Sequence, residues 1–211
     1  MLPITRRFFF AGPAALGLAL AAGVPARADI QNEAKAFLTN MGNRAIAELA
    51  DSSVDETTRV QRFRALLNQN IDLQLVAQQV LARYWRGASP EERKTFTVTL
   101  REALIVRFLP IFDGYKGETF DVVSTRTSSQ NPDVVGAVTN ILTPGGDSAR
   151  VEWFMHKAAD GMKIYDFSAE GIRLTTSLQD EYGSILRQNG GDIADLSKRI
   201  QATLPPTAVL N

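Results

Sequence analysis

From Ile30 the apolar residues Ala34, Phe37, Leu38, Met41, Ala45, Ile46 and Leu49 recur at spacings of three and four. That places them on one stripe of an amphipathic helix. A polar break at Asp51-Ser52-Ser53 follows, and Ser53 with Glu56 has the spacing of a capping box. Val60, Phe63, Leu66 and Leu67 then predict a second helix. Leu73, Val76, Val80, Leu81 and Tyr84 predict a third, running from Asp72 to Trp85 and stopped by Gly87. Ser89-Pro90-Glu91-Glu92 supplies an N-cap serine, a proline in the first turn and a glutamate three residues after the cap. Phe96, Leu100, Leu104, Phe108 and Ile111 continue that fourth helix on one face until Pro110 and Gly114.

The period then changes. Four segments rich in β-branched and aromatic residues, 118–127, 134–143, 149–157 and 162–175, are separated by turn sequences at Asn131-Pro132-Asp133, Pro144-Gly145-Gly146-Asp147 and Asp160-Gly161. Short turns between such strands predict an antiparallel meander. In the third, Val151, Trp153 and Met155 fall on one face and Glu152, Phe154 and His156 on the other. Helical spacing returns at Leu178, Tyr182, Ile185 and Leu186, stops at Asn189-Gly190-Gly191, and resumes behind Asp192 with Ile193, Leu196 and Ile200. Helices, then strands, then helices predict an α+β domain: a curved antiparallel sheet of about four strands, with helices on its concave face.

The first 28 residues stand apart. Arg6 and Arg7 precede an apolar stretch from Phe8 to Val24, and Ala26 and Ala28 are small residues at the −3 and −1 positions of a cleavage site. We expect export and cleavage after Ala28. Thr5-Arg6-Arg7-Phe8-Phe9-Phe10 resembles a twin-arginine signal. The remaining 183 residues, 29–211, are expected to form one domain.

Charge and composition exclude several functions. The signal holds three of the 23 basic residues and none of the 23 acidic ones, so the mature chain carries −3. It offers no basic field for nucleic acid and no polybasic run for a membrane surface. With no cysteine there is no thiolate metal site, thiol nucleophile or N-terminal lipid anchor on sulfur. The sole histidine, His156, reads as a surface strand residue, and no HExxH, GxSxG, P-loop or GxGxxG motif occurs. The carboxylate pairs Glu91/Glu92 and Asp180/Glu181 lie near helix N-termini, where they complement the helix dipole. Glu170 before Gly171 is expected to mark a bulge in the last strand. Neither a cofactor nor a metal is implied.

Abundant apolar surface remains, and periodicity alone cannot separate a filled core from one that encloses a ligand. A resemblance adds to this. Asp160-Gly161-Met162-Lys163-Ile164-Tyr165-Asp166 followed by Glu170-Gly171-Ile172-Arg173-Leu174 is similar to the signature of the MlaC (toluene-tolerance) family. So are Val80-Leu81-Ala82-Arg83-Tyr84-Trp85-Arg86, Ser89-Pro90-Glu91-Glu92-Arg93 with Phe96, the segment Val151-Glu152-Trp153, and the terminal spacing of Tyr182, Ile185, Leu186, Gly191 and Leu196. Met162, Arg173 and Gln179 depart from the family's usual Trp, Ser and Arg.

The resemblance implies a cystatin- or NTF2-like sheet curled against helices, binding a phospholipid with buried acyl tails and an exposed headgroup. It implies a periplasmic, monomeric, non-enzymatic carrier of the Mla pathway. Its partners would be an outer-membrane lipoprotein complex and an inner-membrane ABC transporter. Val76, Val80, Leu100, Leu104, Phe108, Val122, Ile141, Val151, Trp153, Ile164 and Phe167, all on expected inward faces, are the candidate tail-binding residues. A polycyclic lipid such as a hopanoid, a small enzyme on an NTF2-like fold, and an adaptor with a solid core are the competing readings. The enzyme would require His156 or Glu170 to face into the pocket.

Overall fold

The computed structural model describes residues 25–209, apart from positions 52, 116 and 147. The charged and apolar segments of the expected signal lie outside the described residues. Helix α1 (Pro25–Leu49) begins upstream of the expected cleavage point. Five further α-helices follow: α2 (Glu56–Asn70), α3 (Leu73–Leu81), α4 (Pro90–Phe108), α5 (Leu174–Gln188) and α6 (Ile193–Gln201). Between α4 and α5 lie strands β1 (Thr119–Thr127), β2 (Val134–Leu142), β3 (Ser148–Ala158), β4 (Gly161–Ala169) and β5 (Ile172–Arg173). They form one antiparallel sheet in the order β1-β2-β3-β4-β5. No helix among the described residues is long and apolar enough to cross a membrane.

Local chemistry explains most boundaries. The capping box of α4 is present in full: the Ser89 hydroxyl accepts from the Glu92 amide and the Glu92 carboxylate from the Ser89 amide. Asp192 caps α6 by accepting from the Asp195 amide. Helix α2 is capped by Asp55 rather than by the expected Ser53, because the Asp55 carboxylate takes both the Thr58 amide (2.9 Å) and the Thr58 hydroxyl (2.6 Å). The expected third helix breaks at Ala82, whose φ is +48°, and continues as a 3₁₀ turn, Ala82–Gly87. The break carries Trp85 back beneath α4, where the Arg93 guanidinium lies 5.1 Å from its ring centre.

The expected fourth strand also divides. Glu170 (φ +53°) and Gly171 (φ +79°) are the two central residues of a tight hairpin that pairs Ala169 with Ile172. Two successive positive φ values are what a two-residue hairpin of this hand requires. Glu170 therefore makes a turn, not a bulge, and α5 starts at Leu174, immediately after β5.

Two apolar cores result. Helices α2–α6, with Leu49 from the end of α1, build the first, around Phe96, Leu100, Leu81, Leu178, Leu186 and Leu196. Burial within it pushes the Tyr182 hydroxyl up to about 12. Helix α1 and the sheet build the second, around Ala34, Leu38, Val135, Ala137, Met155, Met162 and Ile164. The face of the sheet that meets α1 is its inner face. The two cores join at the α2–α3 junction. There Ile71 bridges Ile164, the Asp72 amide donates to the Ile164 carbonyl at 2.8 Å, and Lys163 donates to the Gln69 carbonyl at 2.7 Å.

Candidate functional site

Strand register decides which side chains share the inner face, since directly paired residues project to the same side. One rung joins Phe120, Ile141 and Ala149. The next joins Val122, Thr139, Val151 and Ala169. A third joins Thr125, Ala137, Trp153 and Phe167, and a fourth Thr127, Val135, Met155 and Ile164. Strict alternation would put Ile164 and Phe167, three apart, on opposite faces. A register shift at Tyr165 brings them to the same one, and a matching shift at Val123 does so for Val122 and Thr125. All six candidate residues from the sheet thus face inward: Val122, Ile141, Val151, Trp153, Ile164 and Phe167.

The five helical candidates sit differently. Val76, Val80, Leu100 and Leu104 are 4% exposed or less and pack within the helical core. Phe108, at the end of α4, is half-buried and reaches the sheet, its ring 5.6 Å from that of Phe167. Phe167 lies 5.6 Å from Trp153, and Trp153 lies 6.2 Å from Phe120. Phe108–Phe167 is the one ring contact among the described residues that joins the helical core to the inner face. These four half-buried rings line the seam between the two cores, and Ile164 is the candidate deepest in the α1–sheet core.

Two groups at this seam escape a reading of the sequence. Phe120 tucks against α1 where Gly42 leaves room: a Cβ on Gly42 would fall 2.5 Å from its ring. Its position two residues before Val122 is a period-two signal that could have found it. Thr139 is fully buried among apolar neighbours, and its hydroxyl accepts from the Trp153 indole N–H at 2.9 Å. Their separation in sequence, 14 residues, gives no hint of that bond.

Two surface depressions flank these elements. One of about 370 Å³ lies between α1 and β1, lined by Asn43, Ile46, Ala47, Tyr115, Glu118, Thr119, Phe120 and Asp121. Phe120 thus stands between this depression and the inner face. The other, about 410 Å³, lies across α3 and α4 beside Trp85, Arg93 and Lys94. None of the eleven candidate residues lines either depression.

The polar signature residues serve the scaffold. Asp166, with its side chain fully buried, accepts from Arg173 Nε (2.6 Å), the Thr175 hydroxyl (2.6 Å), the Thr175 amide (3.1 Å) and the Phe167 amide (2.9 Å). It ties the start of α5 to β4, in the place of a side-chain N-cap, which Arg173 does not supply. Arg173 also stacks 4.2 Å from the Phe154 ring centre. Met162 fills the α1–sheet core, and Gln179 donates to the Gln79 carbonyl at 3.2 Å. His156 lies with Phe154 and Tyr165 on the outer face, 2.9 Å from the Asp72 carboxylate. Burial raises the Tyr165 hydroxyl pKa, with Arg173 opposing and Asp166 reinforcing the shift. Neither His156 nor Glu170 faces the seam. Among the described residues no group of three or more His, Asp or Glu is arranged to hold a metal ion.

The chain resembles known proteins. A family model described as MlaC protein matches residues 39–202. The chain is also similar to a solved phospholipid-binding protein from Ralstonia solanacearum, determined in complex with a phospholipid. The likeness has a TM-score of 0.70 at 17% sequence identity and covers 81% of this chain and 96% of that one. At that identity it speaks to the fold, and the fold agrees: helices first, then a curved antiparallel sheet, then two closing helices.

Proposed function

We propose that this chain, which belongs to the MlaC family, is an exported carrier that holds a phospholipid by its acyl tails against the inner face of the sheet. One observation carries the reading. The inner face presents successive apolar rungs, yet the helical core meets it in ring contact through Phe108 alone among the described residues. Separating Phe108 from Phe167 would admit a hydrocarbon chain between two cores that each stay packed. A solved protein of similar fold is a phospholipid-binding protein determined with a phospholipid, which supports the class of ligand.

The physics suits carriage. Each methylene taken out of water contributes about 0.8 kcal/mol, so acyl tails alone give ample affinity without polar machinery at the seam. Affinity of that origin is indifferent to the headgroup, which would stay outside. Release then needs an opening of the seam at a partner. In this reading the protein works in the periplasm, accepts lipid from an outer-membrane lipoprotein complex or an inner-membrane ABC transporter, delivers it to the other, and catalyses no reaction. Arg6 and Arg7 direct its export, and replacing both with lysine abolishes it if the route is the twin-arginine one.

Native mass spectrometry of protein purified from periplasm, with solvent extraction and lipid identification, tests the reading. The expected result is glycerophospholipid near one per chain. A hopanoid in its place would reassign the ligand. Protein that carries nothing and takes up nothing from vesicles would refute carriage while leaving the fold intact.

A further inference from the structure

Trp153 occupies a singular position on the inner face. The rungs on one side of it, with Val135, Met155 and Ile164, are sealed by Leu38 and Ala34 of α1. Those on the other side, with Val151, Thr139, Ile141 and Ala149, run toward the end of the β2–β3 hairpin, where Ala149 is exposed and Ile141 half-buried. The α1–β1 depression opens at that same end, beside Phe120. Phe120 and Phe167 flank the indole at 6.2 and 5.6 Å, and its N–H is tethered to Thr139 Oγ1 at 2.9 Å. Thr139 is 0% exposed and also lies within 3.5 Å of the Val151 carbonyl, so its hydroxyl can donate there while it accepts from the indole. A buried hydroxyl among apolar neighbours is costly unless it is bonded, and its side-chain partner among the described residues is the group whose orientation it fixes.

We propose that Trp153, pinned by Thr139, is the end stop of the tail channel, and that Thr139 is the residue that sets the length of acyl chain the protein accepts. The inference rests on the phospholipid reading above and deepens it. The indole leans over the Thr139–Val151 rung, so from the rung of Ala149 to the stop is two residues of β3, about 7 Å, which an extended stretch of roughly six carbons covers. The surface depression at the mouth accommodates a few carbons more. Longer chains meet the indole, which cannot turn aside while its N–H is held. Thr139 acts through Trp153 and is a positioning residue. Its loss should change selectivity among chain lengths rather than affinity for all of them.

The test uses the mature protein and phosphatidylethanolamines with two identical saturated tails of twelve, sixteen or twenty carbons, offered as an equimolar mixture and read by native mass spectrometry. Wild-type protein should show a ceiling, with the twenty-carbon lipid under-represented. Thr139→Val keeps the shape and removes the acceptor. It should raise the ratio of twenty- to twelve-carbon lipid by about tenfold, the scale of one lost hydrogen bond, with a shift in indole emission. Thr139→Ser restores an acceptor and should return the wild-type profile. Trp153→Phe removes the indole together with its tethered N–H, and should broaden the profile even if the valine variant folds poorly. An unchanged profile in Thr139→Val and Trp153→Phe, with lipid still bound, overturns the end stop and leaves carriage standing. Uptake of no lipid by any of the proteins, wild type included, overturns carriage and the end stop together.

Discussion

Gly42 in α1 and Gly183 in α5 both sit inside helices and are both buried, yet alanine should affect them in opposite directions. In each, alanine removes the entropic cost of glycine and gains about 1 kcal/mol of helix propensity. At Gly183 the new methyl meets only the far end of the Arg187 side chain, at 3.4 Å, which can move aside. At Gly42 it would lie 2.5, 2.8 and 2.8 Å from three atoms of the Phe120 ring, Cγ among them. The whole ring must therefore shift by about 1 Å, and forcing a side chain into a packed site costs about 1–3 kcal/mol. Gly183→Ala should stabilise by about 1 kcal/mol and Gly42→Ala should destabilise by about the same amount, the overpacking exceeding the propensity gain. For a chain of this size each corresponds to a shift of about 2–4 °C in melting temperature. Urea titrations followed by circular dichroism measure both. Because the displaced Phe120 stands at the mouth of the seam, Gly42→Ala should also lower phospholipid uptake, whereas Gly183→Ala should not. Two glycine variants that shift stability in the same direction would refute the reasoning, since the contact with Phe120 is what separates them.

The buried cluster beneath the C-terminal segment makes a pH-dependent contribution. Burial pushes the Glu102 carboxyl up, but bonds from Arg64, Arg101 and the Val209 amide together outweigh it and hold the group below the ordinary value of 4.5. A depressed folded-state value means that the stabilisation is complete above 4.5 and lost as pH falls below it. The urea midpoint of the wild type should drop over that acid range. Glu102→Gln should flatten the dependence and cost about 3 kcal/mol at neutral pH by leaving two guanidiniums against one amide. Asp166→Asn removes the ion pair to Arg173 and weakens the tie to the first turn of α5. About 2 kcal/mol of stability should be lost, with faster amide exchange in the first turn of α5 as the direct sign; exchange unchanged there would contradict the capping role.

Legibility of this fold in its sequence followed the physics of each signal. Helix α4 was readable because its start is specified by local side-chain chemistry at Ser89, Pro90 and Glu92. The faces of β3 were readable because Val151, Trp153 and Met155 alternate without interruption. The start of α5 was not, since Asp166, eight residues upstream of Leu174, caps it through tertiary contact. Nor was the turn at Glu170, a residue type that rarely adopts positive φ. For the seam, helical spacing marked Val76, Val80, Leu100 and Leu104 as buried but could not name what they face, and the structure sets them among other helices. The inward placement of both Ile164 and Phe167 depends on the shift at Tyr165, which is a property of pairing between strands. The bond from Trp153 to Thr139 becomes visible only once that pairing is known.

The two tryptophans give the most direct test of where the lipid lies. Trp153 is on the inner face, whereas Trp85 is buried in the helical core beneath Arg93. Phosphatidylcholine brominated midway along its acyl chains quenches indole fluorescence only at contact range. Single-tryptophan variants, Trp85→Phe and Trp153→Phe, should separate the signals. Lipid tails between the two cores predict strong quenching of Trp153 and little of Trp85. Quenching confined to Trp85, or equal for both, would contradict the account.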